Sequence, residues 1–210
     1  FSNAPYASVL ARNLGAGQLL YCKAEMLDGC IIGTLVVPDK AAPLSGRFCL
    51  AYCLERERIL LIDEDGTCKE LLERLLDSEL LDCRDVPHFF FSLLEALIQD
   101  DMAFLQNFEK RLATMEESVA GTLPKELKTS VMTVRKELLA FHSYYQQLMD
   151  MCEILSDNEN GFFPEDFASH FHRLCGRIGR LYGHTQILPD YGLQIREMDQ
   201  TQVGIRQNEA

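Results

Sequence analysis

The chain has 210 residues, 47% of them hydrophobic and 25% charged, which supplies a real core and excludes a disordered polymer. A formal net charge of −12 argues against nucleic-acid backbones and anionic lipid surfaces as partners. Eight cysteines, at 22, 30, 49, 53, 68, 83, 152 and 175, form no CxxC pair and no zinc-ribbon spacing, so they read as buried reduced thiols of a cytosolic protein.

In chain order, residues 18–65 carry short β-rich runs. These are Leu19–Cys22, Ile31–Val37, Phe48–Leu54 and Arg58–Asp63, separated by turn-like Asp28-Gly29, Pro43–Gly46 and Glu55–Glu57. Thr67 followed by Glu70 has the spacing of a capping box, and the helix it opens runs to about Leu76 with Leu71, Leu72, Leu75 and Leu76 on one face. From Asp85 and Pro87 the period becomes helical. Apolar or near-apolar positions at 94, 98, 101, 105, 108, 112, 115 and 119 predict one long helix with a coiled-coil seam. Leu127, Val131, Val134, Leu138, Phe141, Tyr145, Leu148, Cys152 and Leu155 repeat the pattern, and the break at Gly121–Pro124 turns the two into an antiparallel hairpin. After a second break at Ser156–Pro164, a third helix is striped by Phe167, Phe171, Leu174, Ile178, Leu181, Leu188, Ile195, Met198 and Ile205. That stripe is expected to be exposed and to need a partner. Pro189 is expected to kink or end this helix. The predicted fold is α+β, with an α/β subdomain over 1–84 and a helical subdomain over 85–210.

No apolar run approaches the ~18 residues of a membrane helix. The third helix would still span roughly 70 Å and reaches Glu209-Ala210 without a capping glycine, so it is expected to continue beyond these residues.

Two segments, Gln207-Asn208 and Ser92–Asp101, resemble the CorA-type magnesium transporter family. Gln207-Asn208 is similar to the Gln-Asn pair that ends the family's stalk helix just before its first membrane span. Ser92-Leu93-Leu94-Glu95-Ala96-Leu97-Ile98-Gln99-Asp100-Asp101 is similar to the opening of the family's first long cytosolic helix. The resemblance covers about Pro87–Ala210. It implies the cytosolic regulatory and stalk domain of a divalent-cation transporter or channel, with Mg2+ as the default ion and no enzymatic activity. It also implies a homopentamer at the cytoplasmic face of the cell membrane, attached through helices absent from this chain.

Glu197 and Asn208 are eleven residues apart, about three helical turns, and so share a face. By resemblance they line the inner mouth of the pore, where five such groups would attract a cation that keeps its waters. The family's inter-subunit magnesium sensor carries over poorly. A Leu-Glu-Asp helix start is missing, and Phe167-Ala168-Ser169-His170 occupies the stalk position of the second aspartate. Asp100, Asp101, Glu165 and Asp166 are the candidate regulatory acids. Asp101 lies on the apolar seam, so its carboxylate must reach water, a cation or a basic partner.

Other chemistry finds little support. His88, His142, His170, His172 and His184 lie on helical stretches or their starts, without a glycine-rich elbow or phosphate loop, and His170 and His172 point in different directions. Asp157–Gly161 fails as a calcium loop, since glycine falls at position five and the closing acid is missing; it reads as a solvated turn. The competing functional class is a soluble coiled-coil scaffold that binds a partner helix.

Overall fold

A computed structural model of the chain describes residues 21–63, 66–117 and 125–208, with side-chain positions for all of these except 67, 116–117, 125–128 and 187–208. The expected runs at 19–20 and the hairpin break at 121–124 lie outside the described residues.

Four strands, β1 (Lys23–Leu27), β2 (Cys30–Pro38), β3 (Arg47–Leu54) and β4 (Ile59–Ile62), form an antiparallel meander in chain order. The first strand therefore follows Tyr21-Cys22 rather than containing it. The turn at Asp28-Gly29 decides this: Gly29 takes φ 74, pairs Leu27 with Cys30, and sets the register back to Lys23 opposite Thr34. Pairing, more than local apolarity, makes β1. Ile31, Leu35, Leu50, Tyr52 and Leu54 face the main core, while Cys30, Ile32 and Cys53 form a small cluster of their own. Gly33 has a specific reason to be glycine, since a Cβ there would run into the Lys23 carbonyl oxygen and the Tyr52 hydroxyl. That hydroxyl donates to the same Lys23 oxygen at 2.9 Å.

Helix α1 (Thr67–Asp77) follows the sheet. The expected capping box is not what starts it. Thr67 is already helical, Gly66 precedes it at φ 73, and Asp63 Oδ2 accepts from the backbone N–H groups of Cys68 (2.8 Å) and Lys69 (3.2 Å). A carboxylate from the end of β4 thus satisfies the first-turn donors. Leu75 is buried, but Leu76 is 48% exposed and leaves the expected apolar face.

The predicted long helix from Pro87 is two helices, α2 (Val86–Leu97) and α3 (Asp101–Glu117). Asp85 caps α2 as expected, its Oδ1 accepting from the His88 N–H at 2.9 Å. Between α2 and α3 the backbone tightens, with Ile98 and Gln99 N–H groups reaching back three residues to Glu95 and Ala96. Leu94, Ile98, Asp101, Leu105, Phe108 and Leu112 are all buried, so the apolar spacing runs through the break and does not reveal it.

Helix α4 (Lys125–Asp157) buries Val131, Val134, Leu138, Phe141, Tyr145, Leu148, Cys152 and Leu155, as its seam predicts. Helix α5 (Glu165–Asn208) runs through Pro189 without ending. At 44 residues it is about 66 Å long. Phe167, Phe171, Leu174, Ile178 and Leu181 are buried in the chain's own core, so this part of the stripe is already covered rather than exposed. Leu188, Ile195, Met198 and Ile205 lie outside the described side chains.

The 157–161 segment is also more than a solvated turn. Asn158 and Gly161 take positive φ, and Asn160 Nδ2 donates to the carbonyl oxygens of Leu27 (2.6 Å) and Cys30 (3.1 Å). The α4–α5 connection thereby grips the β1–β2 turn. One apolar cluster then joins sheet to helices, with the Tyr52 ring 4.8 Å from Phe90.

Candidate cation and pore residues

Asp101 opens α3 with only 1% of its surface exposed. Its carboxylate meets two groups brought from distant parts of the chain. Lys40, in the loop after β2, places Nζ 2.5 Å from Oδ1, and Tyr145, on α4, donates its hydroxyl to Oδ2 at 3.0 Å. Burial pushes the Asp101 carboxyl above the usual aspartate range, and the Lys40 ammonium, with its hydrogen bond, and the Tyr145 hydrogen bond oppose that rise. Burial, with the neighbouring carboxylate, pushes the Tyr145 phenol up as well. The basic partner that a carboxylate on an apolar seam requires is therefore Lys40. The seam spacing includes Tyr145 as an apolar position, and its hydroxyl is what matters here. Nothing in the Pro38-Asp39-Lys40 run marks Lys40 as the other half of the pair.

Asp100, one residue earlier, is exposed and faces a cleft between the β2–β3 loop, α1 and the end of α2. Glu165 and Asp166 are exposed in the first turn of α5, where negative charge suits the helix N-terminus. That turn packs on the other end of α2: Phe167 meets His88 at 4.8 Å, and Phe171 meets Phe91 at 5.5 Å. The two acid pairs are thus separated by about the length of α2, roughly 18 Å for its 12 residues. Among the described residues no group of three or more His, Cys, Asp or Glu side chains is placed to hold a metal ion. His170 is engaged locally, its Nδ1 3.0 Å from the Asp166 carbonyl oxygen. Glu197 and Asn208 belong to the helical backbone of α5, and their side chains lie outside the described residues.

No helix among the described residues is long and apolar enough to cross a membrane. A four-stranded antiparallel meander backed by helices and followed by a 44-residue helix defines an α+β fold. The chain belongs to the CorA-like Mg2+ transporter protein family, whose model matches residues 44–210.

Solved structures agree in fold. The chain superposes on the full-length CmaX protein with TM-score 0.79 at 15% identity, covering 99% of this chain and 64% of that one. The soluble domain of CorA from Methanocaldococcus jannaschii gives TM-score 0.72 at 13% identity, over 93% of this chain and 83% of that domain. The ZntB cytoplasmic domain from Vibrio parahaemolyticus RIMD 2210633 gives TM-score 0.73 at 10% identity, over 99% and 81%. This chain accordingly spans less than two thirds of full-length CmaX. A search of curated protein sequences found no match.

Proposed function

We propose that this chain is the cytosolic regulatory and stalk portion of a divalent-cation transporter or channel, with magnesium as the transported ion. The observation that carries the reading is the family match across residues 44–210, which takes in β3, β4 and every helix through the whole of α5. The fold shared with the soluble part of a CorA and the cytoplasmic part of a ZntB supports a place at the cytoplasmic face of the membrane. In this reading Glu197 and Asn208 of five α5 helices ring the inner mouth of a pore. Such rings attract a cation by charge and outer-sphere hydrogen bonds, which suits an ion that dehydrates reluctantly.

The regulatory acids take different roles. Asp101 is committed to Lys40 and Tyr145, so it holds the α2–α3 turn in place. Asp100 is exposed at that turn, and Glu165 and Asp166 are exposed at the far end of α2. A cation joining the two ends would lie between neighbouring subunits, which is how a magnesium sensor in an oligomer would be wired. Light scattering across a range of chain concentrations tests the assembly. A concentration-dependent mixture of monomer and larger oligomer is expected, and a tight two-chain dimer at every concentration contradicts a five-fold stalk.

A further inference from the structure

The cleft that Asp100 faces has a volume of about 450 Å³, within the range of small-molecule sites. Its apolar wall comes from three places in the chain: Val37 and Phe48 of the sheet, Leu71 and Leu75 of α1, and Leu97 of α2. Charged groups rim it. Two are already engaged: Lys40 with Asp101, and Asp39, whose Oδ1 accepts from the Ala41 N–H at 2.9 Å. Arg74 and Asp100 are different. They line the same cleft with opposite charge, yet they form no ion pair with each other or with any other described residue.

We propose that this cleft binds a small zwitterion with an apolar body, of which a large apolar α-amino acid is the simplest case. Arg74 offers planar paired N–H donors to a carboxylate, and Asp100 offers an acceptor to an ammonium group. The apolar body lies against Phe48 and Leu71, the half-buried part of the wall, which burial favours. A ligand of either single charge would satisfy one rim group and leave its own apolar end beside the other, still hydrated. Because Lys40 and Asp100 adjoin Asp101, an occupant would rest against the α2–α3 turn. The site does not depend on the transport reading, although it shares Asp100 with the inter-subunit cation proposed above.

Isothermal titration of the 210-residue chain with L-phenylalanine, 3-phenylpropanoate and 2-phenylethylammonium tests this. Saturable binding of L-phenylalanine is expected, with each single-charge analogue weaker by roughly tenfold or more. Arg74→Gln and Asp100→Asn are surface changes that should keep the fold by circular dichroism, and each should weaken L-phenylalanine by a similar factor. Absence of binding at millimolar ligand overturns the proposal. So does an analogue that binds as tightly as the amino acid, or an affinity untouched by both substitutions.

Discussion

Lys40 and Asp101 differ in exposure: 38% of the Lys40 side chain reaches solvent and 2% of the Asp101 side chain does. Removing the lysine therefore leaves a buried charge, whereas removing both leaves a mostly apolar gap. Breaking a fully buried pair costs about 3–5 kcal/mol. For Lys40→Ala we expect about 2–3 kcal/mol, because water can enter where the half-exposed ammonium stood. Lys40→Met combined with Asp101→Leu should recover much of that loss. The pH dependence has a defined sign. Asp101 is held above its ordinary range when folded, so the folded state binds its proton more tightly than the unfolded chain does. Its contribution is most favourable below the ordinary aspartate value and is lost as pH rises through the raised folded value. Without Lys40 the rise is larger, so urea unfolding should show the Lys40→Ala deficit shrinking from pH 7 towards pH 4. Asp101→Asn in the same background should abolish that recovery. A deficit independent of pH would mean that the carboxylate is not the group left stranded.

Among the elements, Asn160 is a small residue with a large reach. Its amide donates to two carbonyl oxygens of the β1–β2 turn, and its own Oδ1 accepts from the Phe162 N–H at 3.1 Å. Asn160→Ala strands these half-buried groups and should cost about 1–3 kcal/mol, since an unmade bond costs more than a made one contributes. Hydrogen exchange should report the loss first at the β1–β2 turn, and protection unchanged there would show that the clamp is incidental. The same contrast explains what the sequence could and could not reveal about the elements. Strands β2, β3 and β4 and helices α4 and α5 follow from apolar runs and seam spacing, because burial on one face is a local pattern. The α2–α3 break, the Asp63 cap of α1 and the Asn160 clamp are set by groups far away in the chain or by a bond across a turn. The apolar period continues through Ile98 and Asp101 although the helix does not, so periodicity alone predicts one element where packing makes two. Of the candidate site, Asp101's need for a partner was legible from a carboxylate on a seam; the partner's identity was not.

At the scale of the whole molecule, the domain keeps Phe167, Phe171, Leu174, Ile178 and Leu181 for its own core, so these residues are not available to a second copy. The chain carries a net charge of −12, and bringing copies together concentrates that charge. A divalent cation held between Asp100 of one copy and Glu165 or Asp166 of another would offset the repulsion and stabilise the assembled state alone. Binding at about 100 times Kd contributes roughly 2.7 kcal/mol. For a chain of this size that corresponds to a rise in Tm of about 5–10 °C. The most direct measurement is therefore the Tm and scattering mass of the chain in millimolar MgCl2 and in NaCl matched for ionic strength. A magnesium-specific rise in both is the result expected here. Equal effects from the two salts would mean simple screening of the −12 charge, and would contradict a divalent-cation site between subunits.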